Sequence, residues 1–280
     1  MNAETATVEV ARDICAPVLA HRIAALLDMD PSSLTEGDPL PRGWHVALFT
    51  ASTRQSELRP DGVGGLGFTL PESDLPRVVM GGKRTRFMGD IPIGSRVRRE
   101  SRIAVDQEKQ GRSGRLRLLT IHHTVFVDGQ PDAVLEEEQD YIMRAAESAA
   151  PADGKAPPSL AQDTEPFDSC RKVIFTEPLL FRYSAVTFNA HRIHYDRPFA
   201  EGVEGYPGLL VNGGLSSLFV LEMLKDIAGG APESFSTRNL APLFTGHPVT
   251  LKAARQESGW RLWIVDGEGK RVLEAEALVS

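Results

Sequence analysis

The run LLVNGGLSSLFVLEMLKDIAGG, from Leu209 to Gly230, limits the fold more than any other part of the chain. It has the length and apolar spacing of a helix, and its apolar side chains leave almost no polar face. The glycine pair at its end suits a helix stop. A helix that is apolar nearly all round needs other structure wrapped about it. Four strand-like runs with tight turns follow directly: STRNLAPLF, PVTLKAARQES, GWRLWIVDGEG and RVLEAEALVS. A curved antiparallel sheet folded round the helix is the arrangement this order predicts.

The first half of the chain repeats the order. APVLAHRIAALLDM, from Ala16 to Met29, has apolar residues near i, i+3, i+4 and i+7. WHVALF and a Gly-rich loop come next. SRVRRESRIAVDQEKQ, GRLRLLTIHHTVFVDG and DAVLEEEQDYIMR then read as three successive long strands, separated by hairpin signals. Trp44, His45 and Phe49 are expected to pack as a degenerate first-half helix. The predicted fold class is α+β, a hot-dog arrangement present twice, each half a helix wrapped by an antiparallel sheet. Each half alone leaves a sheet edge open, and pairing the halves joins two sheets into one. The seam is the Ala-, Pro- and polar-rich stretch 146–167, which lacks apolar periodicity and reads as a linker. The predicted units are therefore 1–145, a degenerate substrate-binding half, and 168–280, the catalytic half.

Composition excludes more than it selects. A formal charge of −7 over 280 residues argues against broad nucleic-acid binding. No stretch approaches the ~20 apolar residues of a membrane span. MNAETATVEVARDICAP lacks a basic start followed by an apolar stretch, so the cytoplasm is the expected location. Cys15 and Cys170 match no metal spacing and are expected as free thiols. The adjacent His122 and His123 lie on a predicted strand, where neighbouring side chains point to opposite faces, which disfavours a shared metal. No metal is expected. GVGGLG, from Gly62 to Gly67, lacks the preceding strand and following helix of a dinucleotide fingerprint and is expected as a flexible loop, a lid over the substrate. The acidic run Glu136 to Asp140 reads as a solvated strand face.

Chemistry concentrates in FRYSAVTFNAHRIHYDRPFAEG, from Phe181 to Gly202. Asn189 and His194 are five positions apart, so a regular helix would diverge them, whereas a loop entering a helix brings both to one spot. Asn212-Gly213-Gly214 falls at the expected start of the long helix, where backbone N–H groups lack intrahelical partners and carry partial positive charge. Glycine there lets a substrate atom approach the N–H closely. An imidazole to move a proton, an amide to orient water or a hydroxyl, and an N–H pocket for a developing enolate are what reversible water addition to an α,β-unsaturated thioester requires.

TFNAHRIHYD followed by YPGLLVNGGL resembles the catalytic segment of the MaoC-like, type 2 enoyl-thioester hydratases, whose motif reads Asp-x-Asn-Pro-x-His. Aligned on His194, Asn189 takes the Asp position and His191 the Asn position. This version is similar to the double-hot-dog branch that contains the 3-hydroxyacyl-thioester dehydratases and the mesaconyl- and itaconyl-CoA hydratases. PLPRGWHVALF, KQGRSG and EEEQDYIMR resemble the N-terminal portion of the same branch. The family usually has His-Gly-Pro or His-Gly-Met where this chain has Asn212-Gly213-Gly214.

The resemblance implies Asn189 and His194 as the catalytic pair and the Gly213 N–H as the group that polarises the thioester carbonyl. Tyr183, His191, Arg192, Asn212, Arg77 and Arg84 are the expected substrate contacts, with Lys83 beside them. The implied reaction is hydration or dehydration of a C4–C5 branched or dicarboxylic acyl-CoA. CoA enters only as part of the substrate, no other cofactor is implied, and a homodimer is allowed. Three alternatives stay open: a general 3-hydroxyacyl-thioester dehydratase, a thioesterase, and a non-catalytic acyl-thioester binder.

Overall fold

The computed structural model describes residues 8–65, 68–75, 77–111, 114–145 and 162–279. The first half contains β1 (Glu9–Ile14), α1 (Pro17–Leu26), β2 (Arg77–Phe87), β3 (Arg96–Gly111), β4 (Gly114–Val127) and β5 (Ala133–Arg144). The second contains β6 (Ser169–Ile174), α2 (Glu177–Val186), α3 (Arg197–Gly202), α4 (Gly213–Ala228), β7 (Pro232–Asn239), β8 (Pro248–Gln256), β9 (Gly259–Val265) and β10 (Arg271–Val279). All ten strands join one antiparallel sheet in the order β1-β3-β4-β5-β2-β7-β10-β9-β8-β6. The second half repeats the first with every strand number raised by five, so the sheet reads the same from either edge. The seam is β2 against β7, in register from Gly82 opposite Arg238 to Arg86 opposite Ser234. A Cβ on Gly82 would fall 2.3 Å from the Thr237 carbonyl oxygen, so the close approach of the two halves needs glycine there.

The long helix forms as its spacing predicts. Leu215, Leu218, Val220, Leu221, Met223 and Leu224 of α4 are all buried, each contributing about 1.5–3 kcal/mol by leaving water. The helix stops at Gly229, whose φ of 71° is the left-handed conformation that glycine adopts without steric cost. Among the described residues the first half has no counterpart to α4. Where the repeat would place one, Trp44–Ala47 makes a single 3₁₀ turn. Trp44 is fully buried, and its indole N–H donates to Glu222 Oε1 of α4 at 2.7 Å. Gly43, just before it, sits at φ 95°, and a Cβ there would lie 2.2 Å from Leu221. The expected first-half helix at Trp44, His45 and Phe49 is thus reduced to one turn docked on the other half's helix. α1 corresponds instead to α2, and the two helices pack together.

Three further elements depart from expectation. CRKVIFTEPLLFRYSAVTF, whose residues suggest a strand that leads into a polar loop, divides into a strand and then α2, because Thr176 caps the helix and a proline occupies its first turn. The strand-like text of the first half begins at Gly82, whereas β2 starts at Arg77 and β1 precedes it altogether; β1 covers β3 only from Arg96 to Ser101. Residues 146–161 of the expected linker lie outside the described residues. Its remainder, 162–167, is built into the second half. Gln162 bridges to Lys270, and the Asp163 carboxylate accepts from Lys252 Nζ at 2.8 Å and from Trp263 Nε1 at 3.1 Å, and also pairs with Arg271. Burial alone would raise Asp163, but hydrogen bonds from Arg271, Lys252 and Trp263 bring it down to about 2. Among the described residues, no helix is long and apolar enough to cross a membrane.

Candidate active site

The chain leaves α2 at Thr187, and Phe188 takes a φ of 51°, which turns Asn189 back toward the helix. The Asn189 N–H donates to the Ser184 carbonyl at 2.8 Å. Its side-chain Oδ1 accepts from the His191 N–H at 3.0 Å, closing a local turn. One lone pair of Asn189 Oδ1 is therefore engaged within the loop, and the amide N–H groups remain as donors. Arg192–His194 then makes one 3₁₀ turn and Asp196 caps α3, accepting from the Phe199 N–H at 3.1 Å. Asp196 closes this turn and does not orient His194.

His194 is 7% exposed, and its Nδ1 lies 2.7 Å from the Leu210 carbonyl oxygen. A carbonyl can only accept, so Nδ1 carries the proton and Nε2 is the basic nitrogen. Burial pushes the imidazole down to about 4, against the opposing pull of the Leu210 carbonyl, with His191 lowering it further. Burial therefore favours the neutral imidazole at His194. His191 meets it edge-to-face at 5.5 Å between ring centroids and is also lowered by burial.

Asn212 is the N-cap residue of α4, yet its side chain makes no capping bond. It is 3% exposed, and neither Nδ2 nor Oδ1 has a protein partner among the described residues. A buried amide of that kind is a ready ligand contact. Gly213 and Gly214 follow, their N–H groups without intrahelical acceptors. The Tyr183 hydroxyl occupies the space beside Gly214, where a Cβ would lie 2.2 Å from it.

Asn189, His191, His194, Asn212, Gly213, Tyr183 and Arg77 all line one cavity of about 960 Å³, whose walls come from both halves. Arg77 also pairs with Glu204 at 3.2 Å. Two expected contacts lie elsewhere. Arg84 is on the outer face of β2, held by Asp140 at 2.6 Å and Glu138 at 2.9 Å, because alternation along the strand turns Lys83 inward and Arg84 outward. Arg192 is not part of the lining. Its guanidinium pairs with Asp196 at 2.8 Å, stacks over Phe199 at 4.0 Å and donates to the Pro60 carbonyl at 3.1 Å.

That last bond joins the Gly-rich loop to the site. The Arg192 N–H donates to the Asp61 carbonyl at 2.8 Å, and a Cβ on Gly62 would fall 2.0 Å from the Ala190 carbonyl oxygen. The described part of the expected lid is thus pressed against the residue 190–192 loop and lines the cavity; Leu66 and Gly67 lie outside the described residues.

Sequence reasoning missed the polar side chains of the first half. The solvated-face reading of Glu136 to Asp140 is corrected at Glu137, which is buried. Residues 137, 139 and 141 of β5 face inward, as do Lys83 and Thr85 of β2, His123 of β4 and Arg99 and Ser101 of β3. Matching parity across paired strands was the signal that could have found them. His122 and His123 do point to opposite faces, and no group of metal-ligating side chains occurs among the described residues. The Cys15 thiol is buried and pushed up to about 11 by that burial, which makes it a poor nucleophile, and Cys170 is free and exposed.

Comparison with known proteins places the chain among thioester dehydratases and hydratases. A family model described as Hydroxyacyl-thioester dehydratase type 2 matches residues 43–245. The chain is 39% identical over 250 residues to Mesaconyl-C(4)-CoA hydratase of Chloroflexus aurantiacus, covering 88% of this chain and 86% of that protein. Among solved structures it is similar to HtdX of Mycobacterium tuberculosis, with a TM-score of 0.68, 18% identity and coverage of 98% of this chain and 100% of that one. A second Mycobacterium tuberculosis protein, described as a double hot-dog fold, matches with a TM-score of 0.61, 15% identity and coverage of 98% and 96%. At those identities the structural matches establish the fold alone: this chain is a double hot-dog.

Proposed function

The chain belongs to the hydroxyacyl-thioester dehydratase type 2 family, and from that premise we propose that it is a hydro-lyase that adds water to, or removes it from, a C4–C5 branched or dicarboxylic acyl-CoA of the mesaconyl-C4-CoA type. The observation that carries the reading is the His194 imidazole, fixed through Nδ1 on Leu210 and sharing one cavity with Asn189, Asn212 and Gly213. In the hydration direction Nε2 of His194 takes a proton from water as the hydroxyl oxygen bonds to the β-carbon. The π electrons move onto the thioester oxygen, where the Gly213 N–H at the positive end of α4 holds the developing charge. The proton then passes from the imidazolium to the α-carbon, and the thioester carbonyl reforms. Asn189 orients the water through its amide N–H. The chemistry requires proton transfer and carbonyl polarisation only, so the proposal carries no metal or redox group, and CoA arrives with the substrate. Both halves of the site come from one chain, so a homodimer is not needed to complete it.

Crotonyl-CoA, mesaconyl-C4-CoA and itaconyl-CoA offered in parallel test the reading, followed by loss of the enoyl-thioester absorbance. Turnover should fall by about 10³-fold in His194→Ala, the usual scale for removing a general base. Release of free CoA would identify a thioesterase instead, and binding without turnover a non-catalytic carrier. Hydration of crotonyl-CoA and its longer homologues in preference to the dicarboxylic substrates would identify a general 3-hydroxyacyl-thioester dehydratase.

A further inference from the structure

The ladder that joins the two halves of the sheet ends one residue short of the site. β7 pairs with β2 as far as Arg238 opposite Gly82. Beyond that pair β2 bulges between Met80 and Gly82, which shifts its register against β5. Asn239 is the last residue of β7, and its side chain takes over where the main-chain pairing stops: Nδ2 donates to the Met80 carbonyl at 3.1 Å. An amide nitrogen carries two hydrogens, so one N–H of Asn239 is left over. Neither that N–H nor Oδ1 has a protein partner among the described residues. Asn239 is half-buried and lines the cavity that holds His194 and Gly213, and its unpaired Oδ1 is not sealed from solvent, so the amide end is within reach of a ligand.

Gly213 brings this amide beside the oxyanion N–H. A Cβ on Gly213 would lie 3.1 Å from Asn239 Nδ2 and 3.5 Å from Oδ1. The Met80 carbonyl can only accept, which settles that the nearer end of the amide is the nitrogen. In the first turn of a helix the Cα–Cβ bond and the unpaired N–H both lean toward the N-terminus. A group standing in the Cβ direction of Gly213 therefore flanks its N–H. By ordinary bond geometry the Gly213 nitrogen is about 2.5 Å from that Cβ position, which places the two nitrogens no more than about 5.6 Å apart. An oxygen that accepts from two donors at about 2.9 Å each bridges up to about 5.8 Å. One thioester oxygen can thus take both bonds. Asn212, immediately before Gly213, is a second sign that this corner is built for a ligand: it is 3% exposed, and neither end of its amide has a protein partner among the described residues.

We infer that Asn239 is a further catalytic residue, its spare Nδ2–H the second donor to the thioester oxygen beside the Gly213 N–H. When water adds to the β-carbon and the π electrons move onto that oxygen, the two donors share the developing charge, and both are fixed before the substrate arrives. The Met80 carbonyl holds the amide from the first half, so the seam between the halves sets the geometry of the pocket. The pair also gives Gly213 a second reason to be glycine, since a methyl group there would press on the amide. The inference rests on the hydro-lyase reading for its reaction, but polarisation of a bound carbonyl is measured without turnover.

Asn239→Leu keeps the volume of the side chain and removes the donor, and Asn239→Ala removes both. Butyryl-CoA and succinyl-CoA, saturated and so unable to hydrate, are labelled isotopically at the thioester carbonyl and bound to the full chain. Difference infrared spectra should show the labelled C=O stretch displaced to lower frequency in the unaltered protein. Both variants should lose about half of that displacement, the Gly213 N–H keeping the rest. Affinity for the saturated thioesters should stay within about threefold, because the bond strengthens chiefly as charge develops. Binding at that level also reports that the variants are folded. On the enoyl-CoA that is hydrated fastest, kcat should fall by about 100-fold, the scale for one oxyanion donor. An undiminished displacement in both variants, however slow they are, reduces Asn239 to a fastening of the seam and overturns the inference while leaving a hydratase. A kcat within about threefold of the unaltered protein does the same. A displacement that depends on Asn239 with no turnover of any enoyl-CoA removes the hydro-lyase reading and leaves the polarising pair standing. Failure of the unaltered protein to bind either thioester overturns both.

Discussion

The state of His194 is set by a residue sixteen positions away in sequence. The Leu210 carbonyl fixes the tautomer and burial sets the charge. With His194 as the proposed base, kcat/KM for hydration should stay level from about pH 8 to pH 5 and drop as the pH falls through about 4, where the imidazole gains a proton. Initial rates across that span, with recovery checked on return to neutral pH, measure it; an acid limb near 6.5 would mean that water reaches the ring freely. That Asn189 and His194 share one cavity could be read from the chain because both lie within six consecutive residues. The tautomer and the lowered basicity could not, because a distant carbonyl and the surrounding packing produce them. Arg84 shows the converse: its charge was legible, but the face it occupies depends on strand parity, and that requires the register of β2.

Among the elements, α4 was plain in the sequence because its apolar run has helical length and a glycine stop. α2 was hidden by β-favouring residues such as Val173, Ile174, Phe175 and Phe181, and the Thr176 cap with its following proline was the local sign against them. α2 matters because it carries Tyr183 to the start of α4. Gly214→Ala puts a methyl carbon where the phenol oxygen now stands, 2.2 Å away. Tyr183 or the helix start must then move, and kcat/KM should fall by about 10–100-fold, as for other misplacements of about 1 Å at a reacting centre. Gly214→Ala combined with Tyr183→Phe removes the oxygen that clashes and should recover a good part of that loss. Steady-state kinetics on the two single variants and the double variant make the comparison, and a double variant no better than Gly214→Ala would place the damage elsewhere.

At the scale of the whole molecule, the repeat was legible because both halves carry the same succession of helix and strand signals. The limits of the linker were less so: its composition is uniform through residue 167, and only the three-dimensional fold shows Asp163 and Glu165 meeting Lys252, Arg261 and Arg271 across the outer face of the sheet. Asp163 has a depressed native pKa, so its contribution to stability is fully present above about pH 4 and disappears as the pH falls toward 2. A shift of that size is worth about 2 kcal/mol. Asp163→Asn should lower the urea midpoint accordingly at pH 7, and the gap from the unaltered protein should narrow at pH 3.

The short reach of β1 has a consequence for life in a crowded solution. From Arg102 to Gln110, β3 runs on past its neighbour with no described strand on that side, offering a row of main-chain donors and acceptors. Such a margin invites another polypeptide to add itself as an eleventh strand. Asp106, Glu108 and Lys109 stand exposed along it, charged side chains of the kind that blunt an open strand against a neighbour, so uncharged replacements at these positions should make the margin sticky.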